Sequence, residues 1–260
     1  MVHLSHIKRV LVAATVATGF AGVSMSAHAA LAYDQNVTSN VIFGTGNSNG
    51  GFTTNTAGGV EVGIRAKKRF PTPSDNAAGI GSQGNGTYKQ AAGGFTSGGV
   101  PGGTRAAWNF DWSINTGTAL VSTYTYVLGL DFDRGFGTNF LTFDPINSQP
   151  FFDHSFGNSS TAANAGVEAT DAASYASLKS SSSLVQNSWN FDFFDGGSYL
   201  FDPNANGNYS IFLEVLSNGR SVARSDIEVI VGTGFVPEPG SMALVGLGLA
   251  GLAVSRRRKA

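Results

Sequence analysis

The chain contains no cysteine, which excludes disulfides, thiolate zinc sites, haem attachment and cysteine nucleophiles. Histidine is almost as scarce. Of four histidines, His3, His6 and His28 lie in the first 28 residues, and only His154 falls in the body of the chain. Histidine-cluster metal sites are thereby excluded. A Ser-His-Asp triad would have to use His154, which sits in Phe151-Phe152-Asp153-His154-Ser155-Phe156 with no nucleophile elbow nearby. We therefore expect His154 to be an ordinary loop residue. Charge is also sparse, at 13% of residues, and six of the sixteen Lys and Arg lie at the two ends. Between Ala30 and Pro239, ten Lys or Arg face seventeen Asp or Glu, a net of −7. An acidic domain repels phosphate backbones, so nucleic acid is excluded as a general partner. The one basic run, Arg65-Ala66-Lys67-Lys68-Arg69, reads as a solvated face or a strand end.

Long uncharged apolar runs occur only at the two ends. At the N-terminus, Lys8 and Arg9 precede an uncharged run from Val10 to Met25, and Ala27-His28-Ala29 follows. That order is a secretory signal peptide over residues 1–29, with Ala27 and Ala29 as the small residues of the signal-peptidase site. Cleavage leaves Ala30 as the new N-terminus. The alternative, an uncleaved anchor helix, suits the short run and its Gly19 and Gly22 less well.

The body, residues 30–235, is long enough for one β-sandwich with a core that needs no covalent staples. Its apolar residues alternate. Val60-Glu61-Val62-Gly63-Ile64 reads as a strand, and the Gly- and Asn-rich stretches at Gly44–Gly51, Gly79–Gly86 and Gly93–Gly103 read as turns and flexible loops. Trp108, Phe110, Trp112 and Ile114 alternate with Asn109, Asp111 and Ser113, predicting a half-buried strand. Tyr124, Tyr126, Leu128, Leu130 and Phe132 share one face of another, and Phe140–Phe143 follows a Gly-rich turn. Trp189, Phe191 and Phe193 repeat the alternation, and Trp108-Asn109-Phe110-Asp111 recurs as Trp189-Asn190-Phe191-Asp192. Nothing around the identity extends it, so two repeats are not inferred. Residues 158–183 are Ala- and Ser-rich, and Ala162–Leu178 predicts a short helix or ordered loop across one end of the sheets.

Tyr209, Ile211, Leu213 and Val215 in one strand and Ile227, Val229 and Val231 in the next flank Asn218-Gly219, a hairpin signal. A two-residue loop puts the two apolar rows on opposite faces. A three-residue loop pairing Leu216 with Arg220 puts them together, so a bulged hairpin is predicted there.

No catalytic residues are assigned. Asp131, Asp133, Asp144, Asp192 and Asp195 lie near aromatic-rich strand ends, where paired carboxylates would suit glycoside hydrolysis but single ones usually build turns. No cofactor is expected. Asp202, Asn204 and Asn206 before Gly207 resemble the opening of a calcium loop, yet the closing position holds Leu213 instead of Glu, so Ca²⁺ there is the alternative to an Asx turn.

At the C-terminus, Pro237-Glu238-Pro239 is followed by an apolar run over 241–254 and by Arg256-Arg257-Arg258-Lys259. These three parts, in this order, resemble the PEP-CTERM sorting signal (236–260). The resemblance implies a Gram-negative bacterium, export past signal peptidase, transient retention in the inner membrane, and processing by an exosortase at the Pro-Glu-Pro segment. It also implies delivery to the outer surface or extracellular matrix, typically of cells that make exopolysaccharide. The residues agree independently. A run of 14 residues from Ser241 to Val254 spans about 21 Å as a helix, short of a hydrocarbon core of about 30 Å. It is a poor permanent anchor, and the basic cluster beyond it is a stop-transfer that stays cytoplasmic.

The expectation is therefore an all-β chain. Its antiparallel sandwich, jelly-roll-like or immunoglobulin-like, carries a short helical or irregular insert, an N-terminal signal helix and a C-terminal transmembrane helix. The function expected is non-enzymatic adhesion or structural association with exopolysaccharide in a biofilm; the alternative is a secreted carbohydrate-active hydrolase.

Overall fold

The computed structural model describes residues 29–235, apart from 39, 45, 71–79, 97–103 and 149–152. The signal segment before Ala29 and the whole of 236–260, and with them the expected signal and transmembrane helices, lie outside the described residues.

Two sheets face each other, as a β-sandwich requires. One has six strands in the order β1 (Ala32–Gln35), β2 (Phe52–Ala57), β3 (Val60–Lys68), β7 (Trp108–Asn115), β11 (Leu184–Trp189) and β10 (Ser155–Gly157), with numbers following the chain. The other has five, in the order β4 (Thr87–Gln90), β13 (Arg220–Val231), β12 (Gly207–Ser217), β8 (Thr125–Asp131) and β9 (Phe140–Phe143). A small ribbon of β5 (Gly94–Thr96) and β6 (Thr104–Ala106) stands apart. Pairing is antiparallel except that β4 runs parallel to β13. The sheets are antiparallel as expected, and the one parallel pair is confined to the edge strand β4, which follows β3 of the other sheet in the chain.

One apolar core lies between the sheets. Trp108, Phe110, Trp112 and Ile114 of β7 meet Tyr126, Leu128 and Leu130 of β8 and Tyr209, Ile211, Leu213 and Val215 of β12. Each large apolar side chain fully removed from water contributes about 2 kcal/mol, which is how a chain without disulfides holds together. On the outer face of the second sheet, the ring of Phe212 lies against the position a Cβ of Gly129 would occupy.

β7 is not half-buried as its alternation suggests: all eight of its residues are buried. Its polar face lies beneath the segment between β1 and β2. Gln186 on β11 accepts from the backbone N of Ile42 at 2.8 Å and donates to the carbonyl of Asn40 at 3.0 Å. Val37, Val41, Phe43 and Phe52 make a small second core there. The Gly- and Asn-rich stretch expected to be a flexible loop is thus pinned as a partial third layer.

The basic run lies at the end of β3, as one of its two readings had it, but Arg65 and Lys67 are buried and not solvated. Arg65 and Lys67 alternate with core-facing Ile64 and Ala66, and both reach Asp111, at 2.8 and 3.2 Å. Arg65 also donates to the carbonyls of Ser48 at 3.0 Å and Gly50 at 2.6 Å. Burying these charges is tolerable only because each finds partners.

Two further expectations are corrected. The hairpin turn is a two-residue one: Ser217 pairs with Arg220, and Asn218 and Gly219 take φ of 50° and 74°, as a type I′ turn requires. The bulge exists but sits at Val222, between the Leu216–Ser221 and Val215–Ala223 pairs. Ile211 still faces Ile227, so the apolar rows share a face as anticipated. Trp189, Phe191 and Phe193 do not share a strand. β11 ends at Trp189, and Phe191–Phe194 form a 3-10 turn that buries Phe191 and exposes Phe193.

In the insert, α1 (Ala172–Lys179) is the helical part. Asp171 caps it in a reciprocal box with Ser174, and the Tyr175 hydroxyl donates to the carbonyl of Ile146 at 3.0 Å. The helix closes one end of the sandwich, together with the turn after β9. There the Asp144 carboxylate accepts from the backbone N–H groups of Tyr126, Ile146 and Asn147.

Candidate functional site

The opposite end of the sandwich is more open. Here β3, β8, β11 and β13 finish and β7, β9 and β12 begin, so the loops 132–139, 190–206 and 232–235 come together. Asn190 organises the middle of it. Its side chain is fully buried, donates to the carbonyls of Ala106 and Trp108 and to Asn109 Oδ1, each at 2.9 Å, and accepts from the backbone N of Ala106 at 3.1 Å. The chain must leave the strand at this residue to make those bonds, which is why the second Trp-Asn-Phe-Asp turns where the first continues.

Beyond Asn190 lies a cleft of about 260 Å³ lined by Arg105, Asp153, Trp189, Phe193 and Phe194. The Arg105 guanidinium lies 4.9 Å from the centre of the Phe193 ring and pairs with Asp192 at 2.5 Å. Asp153 accepts from Asn187 Nδ2 at 3.2 Å. Arg69 extends the cluster: it stands 5.2 Å from the Phe95 ring and 5.7 Å from Phe193, and donates to Asn109 Oδ1 at 3.0 Å. Burial, reinforced by the positive charge of Arg105, lowers its pKa from the ordinary arginine value. The rings do not form one plane, since Trp189 and Phe194 meet at 64°, but the exposed Phe193 ring, with guanidinium and carboxylate groups beside it, can stack on a sugar ring and hydrogen-bond its hydroxyls.

The other carboxylates weighed for hydrolysis each hold a separate piece of backbone. Asp131 Oδ1 accepts from Asp133 N and Asn139 N, Asp133 from Gly135 N, and Asp195 from Phe201 N. Asp144 caps its turn at the closed end, so these groups do not converge on the cleft.

Asp202 and Asn204 are joined by a side-chain hydrogen bond, Asn204 Nδ2 donating to Asp202 Oδ1 at 3.4 Å, while Asn206 is bonded elsewhere. Asp202 Oδ1 accepts from the backbone N of Asn204 at 2.9 Å, an Asx turn, while Asn206 Oδ1 serves the backbone N of Thr233. Among the described residues no group of three or more His, Cys, Asp or Glu is placed to hold a metal ion.

His154, expected to be a loop residue, is fully buried in an aromatic cage. Its ring centre lies 5.3 Å from that of Trp112, 5.4 Å from Trp189 and 5.5 Å from Tyr175. Its alternation with Phe152 and Phe156 was the available signal. Of the residues expected to form a signal-peptidase site, Ala27 lies outside the described residues, whereas Ala29 is the first of them and its carbonyl accepts from Asn55 Nδ2. The four residues of β1 that follow are all exposed. Pro237, Glu238, Pro239 and the expected stop-transfer residues Arg256, Arg257, Arg258 and Lys259 lie outside the described residues.

The last described residue, Phe235, is held at the open end. Its backbone N donates to Asn208 Oδ1 at 3.0 Å, and its ring lies 5.2 Å from that of Phe136 in an edge-on contact. Phe235 is thus held by the sandwich itself. Residues 235–259 match the PEP-CTERM protein-sorting motif. The chain is an exported protein that carries this motif and is an exosortase substrate. Comparison with curated proteins and with solved structures gives no match that would identify the family of the sandwich.

Proposed function

We propose that the sandwich is a non-enzymatic surface or matrix module that contacts extracellular polysaccharide through the cleft at its open end. The outer surface or matrix of a Gram-negative cell, in a biofilm rich in exopolysaccharide, is the setting this reading assigns. The observation that carries it is the aromatic cleft of Trp189, Phe193 and Phe194, rimmed by Arg105 and Asp153 and about the size of one sugar ring. Contact is favoured over hydrolysis because the nearby carboxylates are already engaged, Asp192 with Arg105 and Asp153 with Asn187. The mechanism is adsorptive. Stacking on Phe193 supplies area, and the Arg105 guanidinium supplies directed hydrogen bonds to hydroxyl or carboxylate oxygens.

Electrophoresis of the processed protein through gels containing neutral or acidic extracellular polysaccharides tests this. Retardation of the wild type, lost in Phe193→Ala and in Arg105→Ala, is expected. Equal mobility with and without polysaccharide sinks the contact reading. Steady release of reducing ends from the polysaccharide would instead establish the hydrolase.

A further inference from the structure

The two most exposed large apolar side chains among the described residues are Phe136, at 79%, and Leu200, at 74%. Both lie at the end from which the sorting tail departs. Phe136 touches Phe235, the residue from which the chain leaves the sandwich. Leu200 lines a recess of about 270 Å³ with Arg134, Phe132 and Tyr209. The loops that carry them are tied to their neighbours: Asn139 Nδ2 donates to the carbonyl of Ser198 at 3.1 Å, and the backbone N of Asn208 donates to the carbonyl of Arg134 at 3.0 Å. Asn208 in turn fixes Phe235.

Chain length then restricts where this end can go. From Phe235 to Ser241, where the apolar run of the tail begins, there are six residue steps, which reach at most about 20 Å when fully extended. While the tail is in the membrane the open end is therefore held within that distance of the bilayer surface. Exposed Phe and Leu side chains so placed gain free energy by entering the interfacial region, which accommodates apolar groups to a depth of about 5–10 Å.

We propose that, until the tail is removed, the sandwich sits on the outer leaflet of the inner membrane with Phe136 and Leu200 in the lipid interface and Arg134 at the headgroup phosphates. This rests on the tail acting as a membrane segment. Asp195 and Asp202, both exposed near Leu200 in the chain, make a zwitterionic surface the better partner than an anionic one. Docking of this kind fixes the height and orientation of Pro237-Glu238-Pro239 above the membrane. It also breaks when the tail is cut, since two side chains alone bind too weakly to hold a domain.

The absence of cysteine provides a clean test. Thr138→Cys, exposed two residues from Phe136, and Arg220→Cys, exposed at the far hairpin, each give a single site for an environment-sensitive fluorophore. The full chain is reconstituted into phosphatidylcholine and phosphatidylethanolamine vesicles containing a headgroup-region nitroxide lipid. Quenching several-fold stronger at 138 than at 220, abolished by adding Phe136→Asp and Leu200→Asp, is expected. Equal quenching at both sites, or quenching at 138 that survives both Asp substitutions, overturns the docking while the protein still floats with the vesicles. Failure of the protein to float with vesicles at all overturns the membrane role of the tail, and the docking with it.

Discussion

Trp108-Asn109-Phe110-Asp111 and Trp189-Asn190-Phe191-Asp192 are the same four residues in two different structures. The first runs straight through the middle of a six-stranded sheet, and its Asp111 is fully buried between Arg65 and Lys67. The second ends a strand at Trp189, turns on Asn190, and leaves Asp192 at the rim of a cleft with Arg105. In both, the Trp and the Phe enter the core. What differs is the neighbour each polar side chain meets: a covering segment over the first copy, an open end beside the second. The same tetrapeptide is therefore a continuous strand in one place and the turn beside a candidate site in the other, and tertiary contact decides which.

That comparison can be broken at graded cost. The largest effect is expected from Asp111→Ala, which leaves two buried cations without their carboxylate and should destabilise the fold by about 4 kcal/mol, read as a lower urea midpoint. Asn190→Ala strands several buried backbone groups, at about 3 kcal/mol. If it also opens the cleft, polysaccharide retention falls with it. Asp192→Ala should cost at most about 1 kcal/mol, because its ion pair with Arg105 is partly exposed. A loss from Asp192→Ala equal to that from Asp111→Ala would show that the two copies are energetically alike and remove the distinction drawn between them.

The strand positions were largely legible, because a pleated strand repeats every two residues and this chain keeps that alternation at Val60–Ile64, Tyr124–Phe132 and Tyr209–Val215. Alternation could not show that the polar side of β7 is buried. That depends on the segment from Val37 to Gly50 folding over Gln186 and Arg65, contacts between residues as many as 146 positions apart. The hairpin teaches a related point. Parity of the two apolar rows required one extra residue, but Asn218-Gly219 favours a two-residue turn, and the sheet satisfied both by placing the extra residue at Val222. The sorting tail was legible outright, since its information lies in a linear order of motif, apolar run and basic cluster. The cleft was not, because Arg105 and Phe193 are brought together only by the turn at Asn190.

The central claim is that this sandwich is cargo, held briefly by its tail and then released. The most direct measurement is the C-terminal mass of the protein recovered from fractionated cells expressing the wild type or Glu238→Ala. The account predicts a wild-type product outside the inner membrane, shortened at its C-terminus, and a Glu238→Ala product still full length in the membrane fraction. Finding both proteins full length in the inner membrane would contradict it.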